Sequence, residues 1–326
     1  MIEKLIRKNI AALRPYSSAR SEFAGEASVF LDANESPYNQ PYNRYPDPLQ
    51  RQLKRRIARI KSIEPEQIFL GVGSDEPIDL LMRVFCEPHT DNIVTPDPTY
   101  GMYRVAADIN AIECRTVHLT ENFDIDAAAL LAAADKNTKL LFLCSPNNPT
   151  GNSLNHNAIV DVIEQFSGIV VLDEAYIDFS IHPSFTTRLN EHANLVILQT
   201  FSKAWGMAGV RLGMAFASEE IIGTLNKIKY PYNIGTLTQN HVLNALDKAQ
   251  EVSGWVKILL NEREKMAAKL ADLPFVTQVY PSDANFILVR TTDANAIYRY
   301  LTEKGIVVRN RNNVALCLGC LRITIG

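Results

Sequence analysis

No uncharged apolar run in this sequence approaches the length that a membrane-spanning helix needs. Glu3, Lys4, Arg7 and Lys8 interrupt the first apolar residues, so no secretory leader is expected. Charge of one sign is also scarce: 33 Lys and Arg face 36 Asp and Glu, for a formal net charge of −3. No basic excess points to nucleic acid, and no charge block marks a solvated tail. Cysteine is sparse. Cys86, Cys114, Cys144, Cys317 and Cys320 form an odd, scattered set, which speaks against a disulfide framework and fits a reducing compartment. Cys317-Leu-Gly-Cys320 has redox or half-zinc-site spacing, but no second pair accompanies it, so it is read as chance and no metal is expected. Internal repeats and low-complexity tracts are missing too. The expectation is a soluble cytoplasmic protein.

What is present is long for a single core: 326 residues, 47% of them hydrophobic, suggest one large domain and a smaller one. Apolar positions at Ile2, Leu5, Ile6 and Ile10 predict a short amphipathic helix over 1–13. Residues 14–46 are rich in Pro, Tyr, Asn and Ser and read as an extended arm, whose aromatics call for a surface to pack on, such as a partner subunit. Asp47-Pro48 predicts a helix start, with the helix running to about residue 60. Strands at 68–72, 92–95, 113–119, 139–144, 169–173, 195–199 and 212–217 then alternate with helices at 75–86, 100–108, 124–134 and 155–166. Such alternation signals a mostly parallel sheet covered by helices on both faces, with ligands gathered beyond the carboxyl ends of its strands. From 219 helices dominate to about 273, broken at Pro231. Strands near 276–280, 285–289, 306–309 and 321–325 and a helix at 294–304 follow, an α+β arrangement. The division expected is an N-terminal helix and arm at 1–46, a large domain at 47–228 and a small domain at 229–326. Gly326 falls at what reads as a strand end, and a closing helix is expected beyond it.

The polar residues of interest follow strand ends. Gly71-Val-Gly-Ser-Asp-Glu76 joins a strand to a helix, where backbone N–H groups and the helix dipole suit an anion, although an ordinary helix cap looks the same. Tyr100 lies just past another strand and offers a ring to a flat ligand. In Ser145-Pro-Asn-Asn-Pro-Thr-Gly151 two prolines fix the backbone so that an Asn amide points one way. Val170-Val-Leu-Asp173-Glu-Ala-Tyr176 runs an apolar strand straight into an acid, which needs a positive partner or hydrogen bonds. A protonated pyridine nitrogen would serve. Gln199-Thr200-Phe-Ser202-Lys203, with Arg211 eight residues on, sets a lysine between hydroxyls and a guanidinium. The latter can hold phosphate oxygens, and a partly buried lysine amine attacks aldehydes.

Asp173-x-x-Tyr176, Ser202-Lys203, Arg211 and the 145–151 turn resemble the fold-type-I pyridoxal-phosphate aminotransferases. Arg14-Pro-Tyr16, Asp32-Ala-Asn34-Glu35, Asn43-Arg-Tyr45-Pro-Asp47, Pro98-Thr-Tyr-Gly-Met-Tyr103 and Leu321-Arg322-Ile-Thr-Ile-Gly326 narrow the resemblance to the histidinol-phosphate aminotransferase family. The match runs in order through nearly the whole chain. It implies the fold-type-I architecture, with pyridoxal 5′-phosphate as cofactor. Lys203 would form the Schiff base and Asp173 would pair with the ring nitrogen. Tyr176 and Asn148 would meet the ring's phenolic oxygen and Tyr100 would stack on its face. Gly73, Ser74, Asp75, Thr200, Ser202 and Arg211 would hold the phosphate. Tyr45 would reach the cofactor of a neighbouring subunit, making a homodimer with shared active sites. Arg322, Arg309, Tyr16 and Asn34 would contact substrate. The implied reaction moves an amino group from L-histidinol phosphate to 2-oxoglutarate, giving imidazole-acetol phosphate and L-glutamate. Threonine-phosphate decarboxylases and aromatic amino-acid aminotransferases share most of these motifs and stand as alternatives. A Rossmann dehydrogenase fits less well, because the Gly71–Glu76 turn lacks the third glycine of the dinucleotide fingerprint.

Overall fold

The computed structural model describes residues 2–17 and 28–326, so the part of the expected arm at 18–27 lies outside the described residues. The chain builds two sheets. Seven strands, Ile68–Val72 (β1), Asn92–Asp97 (β2), Glu113–His118 (β3), Thr138–Cys144 (β4), Ile169–Asp173 (β5), Leu195–Thr200 (β6) and Leu212–Phe216 (β7), form one sheet in the order β1-β7-β6-β5-β4-β2-β3. The pairs β2·β3, β2·β4, β4·β5 and β5·β6 are parallel. Only β7, set between β1 and β6, runs antiparallel to its neighbours. The sheet is mostly parallel, as the alternation predicts. Its central strands are buried along their whole length, as strands covered on both faces must be.

The helix Asp75–Phe85 shows how sequence pattern becomes packing. Ile78, Leu81, Met82 and Phe85 recur at helical spacing and all are buried in the core on one side of the sheet. Asp75 and Glu76 lie in its first turn, where the helix dipole favours negative charge. A second core fills the other side and continues without a break into the smaller sheet through Tyr280, Phe286, Leu288, Cys317 and Cys320. That sheet, in the order β10-β11-β9-β8, joins Val276–Val279 (β8), Phe286–Thr291 (β9), Arg309–Asn310 (β10) and Cys320–Thr324 (β11). The helices Glu219–Ile228, Thr236–Ala245 and Ala249–Ala271 connect the two sheets, with the break around Pro231. No helix among the described residues is long and apolar enough to cross a membrane.

Three expectations need correction. The helix expected at Asp47-Pro48 begins instead at Arg51. The Asp47 carboxylate accepts from the backbone N–H of Leu49 and of Arg51, so the chain makes one side-chain-bridged turn first, and Gln50 takes a left-handed conformation. The amphipathic helix over 1–13 is split into a single turn at Ile2–Lys4 and a helix at Lys8–Ala12, with Arg7 paired to Glu87 at 3.0 Å between them. The strand at 306–309 shrinks to Arg309–Asn310. Ile306 and Val307 are exposed after the turn at Gly305 and lie outside the paired strand, so this apolar run does not mark one.

One contact fixes how the Gly71–Glu76 turn meets β7. A Cβ on Gly213 would come within 2.2 Å of the Gly73 carbonyl carbon and 2.3 Å of the Ser74 nitrogen. Backbone cannot yield there as a flexible side chain would. Gly213→Ala should therefore cost about 3 kcal/mol of stability in denaturant unfolding. Gly101→Ala, facing open space, should stay within about 0.5 kcal/mol of the parent. Equal losses in the two variants would deny the contact its role.

Candidate active site

The ends of β4, β5 and β6 and the turn after β1 open on one cavity of about 160 Å³. Its walls include Gly73, Ser74, Asp75, Tyr100, Asn148, Asp173, Tyr176, Thr200, Ser202, Lys203 and Arg211. Eleven residues scattered over the sequence thus meet where the strand order predicts a ligand. Cys144, the last residue of β4 and the lateral partner of Asp173, also lines it.

Asp173 ends β5 almost fully buried. Tyr103 donates its hydroxyl to Oδ2 at 2.8 Å, and the Ala175 N–H donates to Oδ1 at 3.0 Å. No ion pair to this carboxylate is found among the described residues. Burial pushes its pKa up to about 6, against the pull of those two hydrogen bonds and of Lys203. Lys203 is shifted the other way. Burial first, then the positive charges of Arg322 and Arg211, favour its neutral amine, and Asp173 and Asp75 oppose them. Its Nζ lies 5.3 Å from the centre of the Tyr176 ring.

The turn after β1 forms a cradle with Arg211. Gly73 and Arg211 both adopt positive φ, and the Gly73 N–H donates to the Arg211 carbonyl at 3.1 Å. A Cβ on Gly73 would meet the Arg211 guanidinium at 2.8 Å, so glycine lets that side chain lie over the turn. Arg211 approaches Asp75 at 3.7 Å, and Tyr100 donates to the same carboxylate at 3.1 Å. Thr200 and Ser202 hydroxyls pair with one another at 3.0 Å. These groups together present donors, two hydroxyls and a guanidinium, the set that suits a phosphate.

A second cavity of about 790 Å³ adjoins the first and shares Tyr100, Asn148, Tyr176 and Lys203 with it. Arg309, Arg311 and Arg322 from the smaller sheet line it. Arg309 and Arg322 face each other directly across β10 and β11, where like charges repel. Arg322 donates to Asn148 Oδ1 and lies over the Phe286 ring, 5.0 Å from its centre. Nε of Arg311 and of Arg322 is buried without a partner. Burial, then Arg322 and Arg309, lower the Arg311 pKa to about 10. Three cations held against repulsion call for an anion.

The two asparagines of the 145–151 turn differ. Asn147 is consumed by structure: it donates to the Pro98 carbonyl and to Thr150, and accepts from Thr99 at 2.9 Å. Asn148 faces both cavities. Tyr16, Asn34 and Tyr45 lie outside the walls of both. Tyr16 borders a separate surface cavity with Pro48 and Lys229, Asn34 is exposed, and Tyr45 stacks on Tyr232 at 4.4 Å. Sequence reasoning missed Arg311 and gave Tyr103 no role. Arg311 shares its strand end with Arg309, and Tyr103 follows Tyr100 by one helical turn. Either spacing could have flagged them.

The residues of the smaller cavity fit the group that the resemblance implies, a phosphorylated pyridine aldehyde. A buried acid lacks a cation, a depressed lysine offers an amine, and a glycine-arginine cradle offers donors. In the cofactor-free chain, Asp173 binds its proton more tightly folded than unfolded. Its contribution to stability is therefore full below about pH 4 and is lost as pH rises through about 6. Asp173→Asn removes that titration. The variant should match the parent at pH 4 and exceed it by up to about 3 kcal/mol at pH 7, measured by urea unfolding without cofactor. A difference that is constant with pH would contradict the burial argument.

Comparison with known proteins adds a second line of observation. The family described as "Aminotransferase class I and II" matches residues 26–326. A "Histidinol-phosphate aminotransferase" of Parabacteroides distasonis is 59% identical over 325 residues, covering 100% of this chain and 94% of that protein. One from Bacteroides fragilis is 58% identical over 326 residues with the same coverage. Among solved structures, the histidinol-phosphate aminotransferase from Clostridium acetobutylicum superposes with a TM-score of 0.80 at 24% identity, over 87% of this chain and 86% of that one. The enzyme from Sinorhizobium meliloti, solved in complex with pyridoxal-5′-phosphate, gives 0.79 at 24% identity, over 90% of this chain and 84% of that one.

Proposed function

We propose a specific reaction from a settled premise: the chain belongs to the class I and II aminotransferases, and within them to the histidinol-phosphate aminotransferase family. The reaction is amino transfer from L-histidinol phosphate to 2-oxoglutarate, giving imidazole-acetol phosphate and L-glutamate in histidine biosynthesis, with pyridoxal 5′-phosphate as cofactor. The observation that carries this reading is one site with two polarities: a buried Asp173 and a neutral-leaning Lys203 in the smaller cavity, three arginines in the adjoining one.

When bound, pyridoxal phosphate supplies a sink for the electron pair left on the substrate carbon once its proton is gone. We assign Asp173 to the ring nitrogen, whose positive charge its buried carboxylate favours. Gly73, Ser74, Asp75, Thr200, Ser202 and Arg211 are assigned to the phosphate, Tyr100 to the ring face, and Asn148 and Tyr176 to the phenolic oxygen. Lys203 Nζ, leaning to the neutral amine, takes the proton from the amine-bearing carbon of the substrate. Arg309, Arg311 and Arg322 bind the phosphate of histidinol phosphate and, in the other half-reaction, a carboxylate of 2-oxoglutarate, since guanidinium suits both anions. Residues 47–228 would hold the cofactor and 229–326 would close the substrate side. The enzyme works in the cytoplasm in this reading.

Tyr45 is half-exposed and turned onto Tyr232, away from its own chain's cavity. We assign it, with Tyr16 and Asn34, to the active site of a second copy of the chain in a homodimer.

Lys203→Ala should cut turnover by at least ~1,000-fold and remove the absorption band of cofactor joined to the lysine. Near-normal turnover would remove Lys203 from the mechanism. In the parent, histidinol phosphate should bleach that band and 2-oxoglutarate restore it. Carbon dioxide release from threonine phosphate, with no need of 2-oxoglutarate, would favour the decarboxylase reading instead. Mixing inactive Lys203→Ala with weakened Tyr45→Ala chains should yield hybrid dimers with one native site each, and activity above that of either variant alone. No gain on mixing, with hybrids demonstrated, would return Tyr45 to its own chain.

A further inference from the structure

We propose that Tyr103 is a positioning residue whose hydroxyl, 2.8 Å from Asp173 Oδ2, holds that carboxylate in the form and orientation that lets the site select a cofactor ring carrying a nitrogen. The proposal rests on the reading of the smaller cavity as a pyridoxal-phosphate site and adds a residue to it that lies behind the cavity wall.

The helix Met102–Ile109 starts just after Tyr100, so residues 100 and 103 fall on neighbouring positions one turn apart. Tyr100 lines the cavity, whereas Tyr103 is not among its walls and is fully buried. Its ring stacks on Phe142 with centres 4.7 Å apart and meets Tyr100 edge-on at 5.6 Å. A phenylalanine would fill that space equally well. What the hydroxyl adds is a bond to the acid, and a buried hydroxyl without a partner would be costly. A hydrogen bond to an ionised acceptor is stronger than one to a neutral acceptor, so the bond favours the charged carboxylate.

The surroundings make that bond matter. The backbone N–H of Ala175 holds Oδ1, and Tyr103 is the one side chain that donates to Asp173 among the described residues. Cys144 on the adjacent strand, Tyr100 and Tyr176 contribute no positive charge. Asp75, from the helix after the glycine turn, repels the negative charge, and Lys203 attracts it. Lys203 gains and gives up a proton in the proposed reaction, so its charge is not constant. Tyr103 is thus the constant side-chain support for the negative charge and, with the Ala175 N–H on the other oxygen, fixes how the carboxylate is turned.

The test compares two ligands on four proteins. Full-length wild type, Tyr103→Phe, Asp173→Asn and the double variant are stripped of cofactor and titrated with pyridoxal phosphate and with its 1-deaza analogue, in which C–H replaces the ring nitrogen. Wild type should prefer pyridoxal phosphate. Tyr103→Phe should lower affinity for pyridoxal phosphate about tenfold and leave affinity for the deaza analogue unchanged. With Asn at 173, the same change should alter neither affinity. Equal weakening of both ligands, or an undiminished loss in the Asp173→Asn background, would overturn the proposal in favour of plain packing. If Tyr103→Phe does not fold, the comparison of Asp173→Asn with the double variant still decides, since a loss there contradicts the proposal. Wild type that binds neither compound would refute the underlying cofactor reading, a result distinct from all of these.

Discussion

A carboxylate removed from water at the end of a central strand is the constraint on which the rest of the structure depends. Asp173 lies in the middle of the seven-stranded sheet, between β4 and β6, with 2% of its surface exposed. Taking a charge into such a place costs several kcal/mol unless something compensates. The chain supplies two neutral donors and withholds a permanent cation from direct contact, so burial drives the carboxyl toward its protonated form. A cation placed in the cavity would complement it. In the proposed reading a protonated ring nitrogen is that cation, and the attraction in turn favours the protonated form of that nitrogen.

The remainder of the site is arranged around that polarity. Positive charge is concentrated in the larger cavity, where the arginines of the smaller sheet are held close despite their repulsion. Burial, and then the charges of Arg322 and Arg211, push the Lys203 ammonium toward the free amine, the form in which it can accept a proton. Two sheets must therefore be held in register for the chemistry to work. The Asn148–Arg322 hydrogen bond links them at the site, and behind it Asp283 donates its N–H to Gly151 and accepts from the Ser153 N–H. The glycine turn depends on the sheet as well, because Gly213 leaves room for the backbone that carries Gly73 and Ser74.

Much of this was legible in the sequence, for reasons that differ by element. Apolar strands that end abruptly in Asp173 or run into Thr200-Phe-Ser-Lys203 are visible because burial and charge change within one residue. The mostly parallel sheet follows from the alternation of periods. Less legible were features set by partners distant in sequence. The turn at Asp47 is decided by its side chain bonding the N–H groups of Leu49 and Arg51, a choice that a proline after an N-cap residue does not reveal. The pairing of Arg309 with Arg322 requires the register of β10 on β11. Tyr103 is part of the core. Only the fold brings its hydroxyl to an acid seventy residues away in the chain. Which of two adjacent asparagines faces the cavity also depends on Pro98, across the turn, claiming Asn147.

The central claim is that Asp173 keeps a ring nitrogen protonated within the sheet's interior. Nitrogen-15 NMR of the full-length protein loaded with ring-¹⁵N pyridoxal phosphate reads that protonation directly. The account predicts a pyridinium signal that persists from neutral pH into the alkaline range and is lost in Asp173→Asn. An unprotonated ring nitrogen at neutral pH in the wild-type protein, or a pyridinium signal unchanged in that variant, would contradict it.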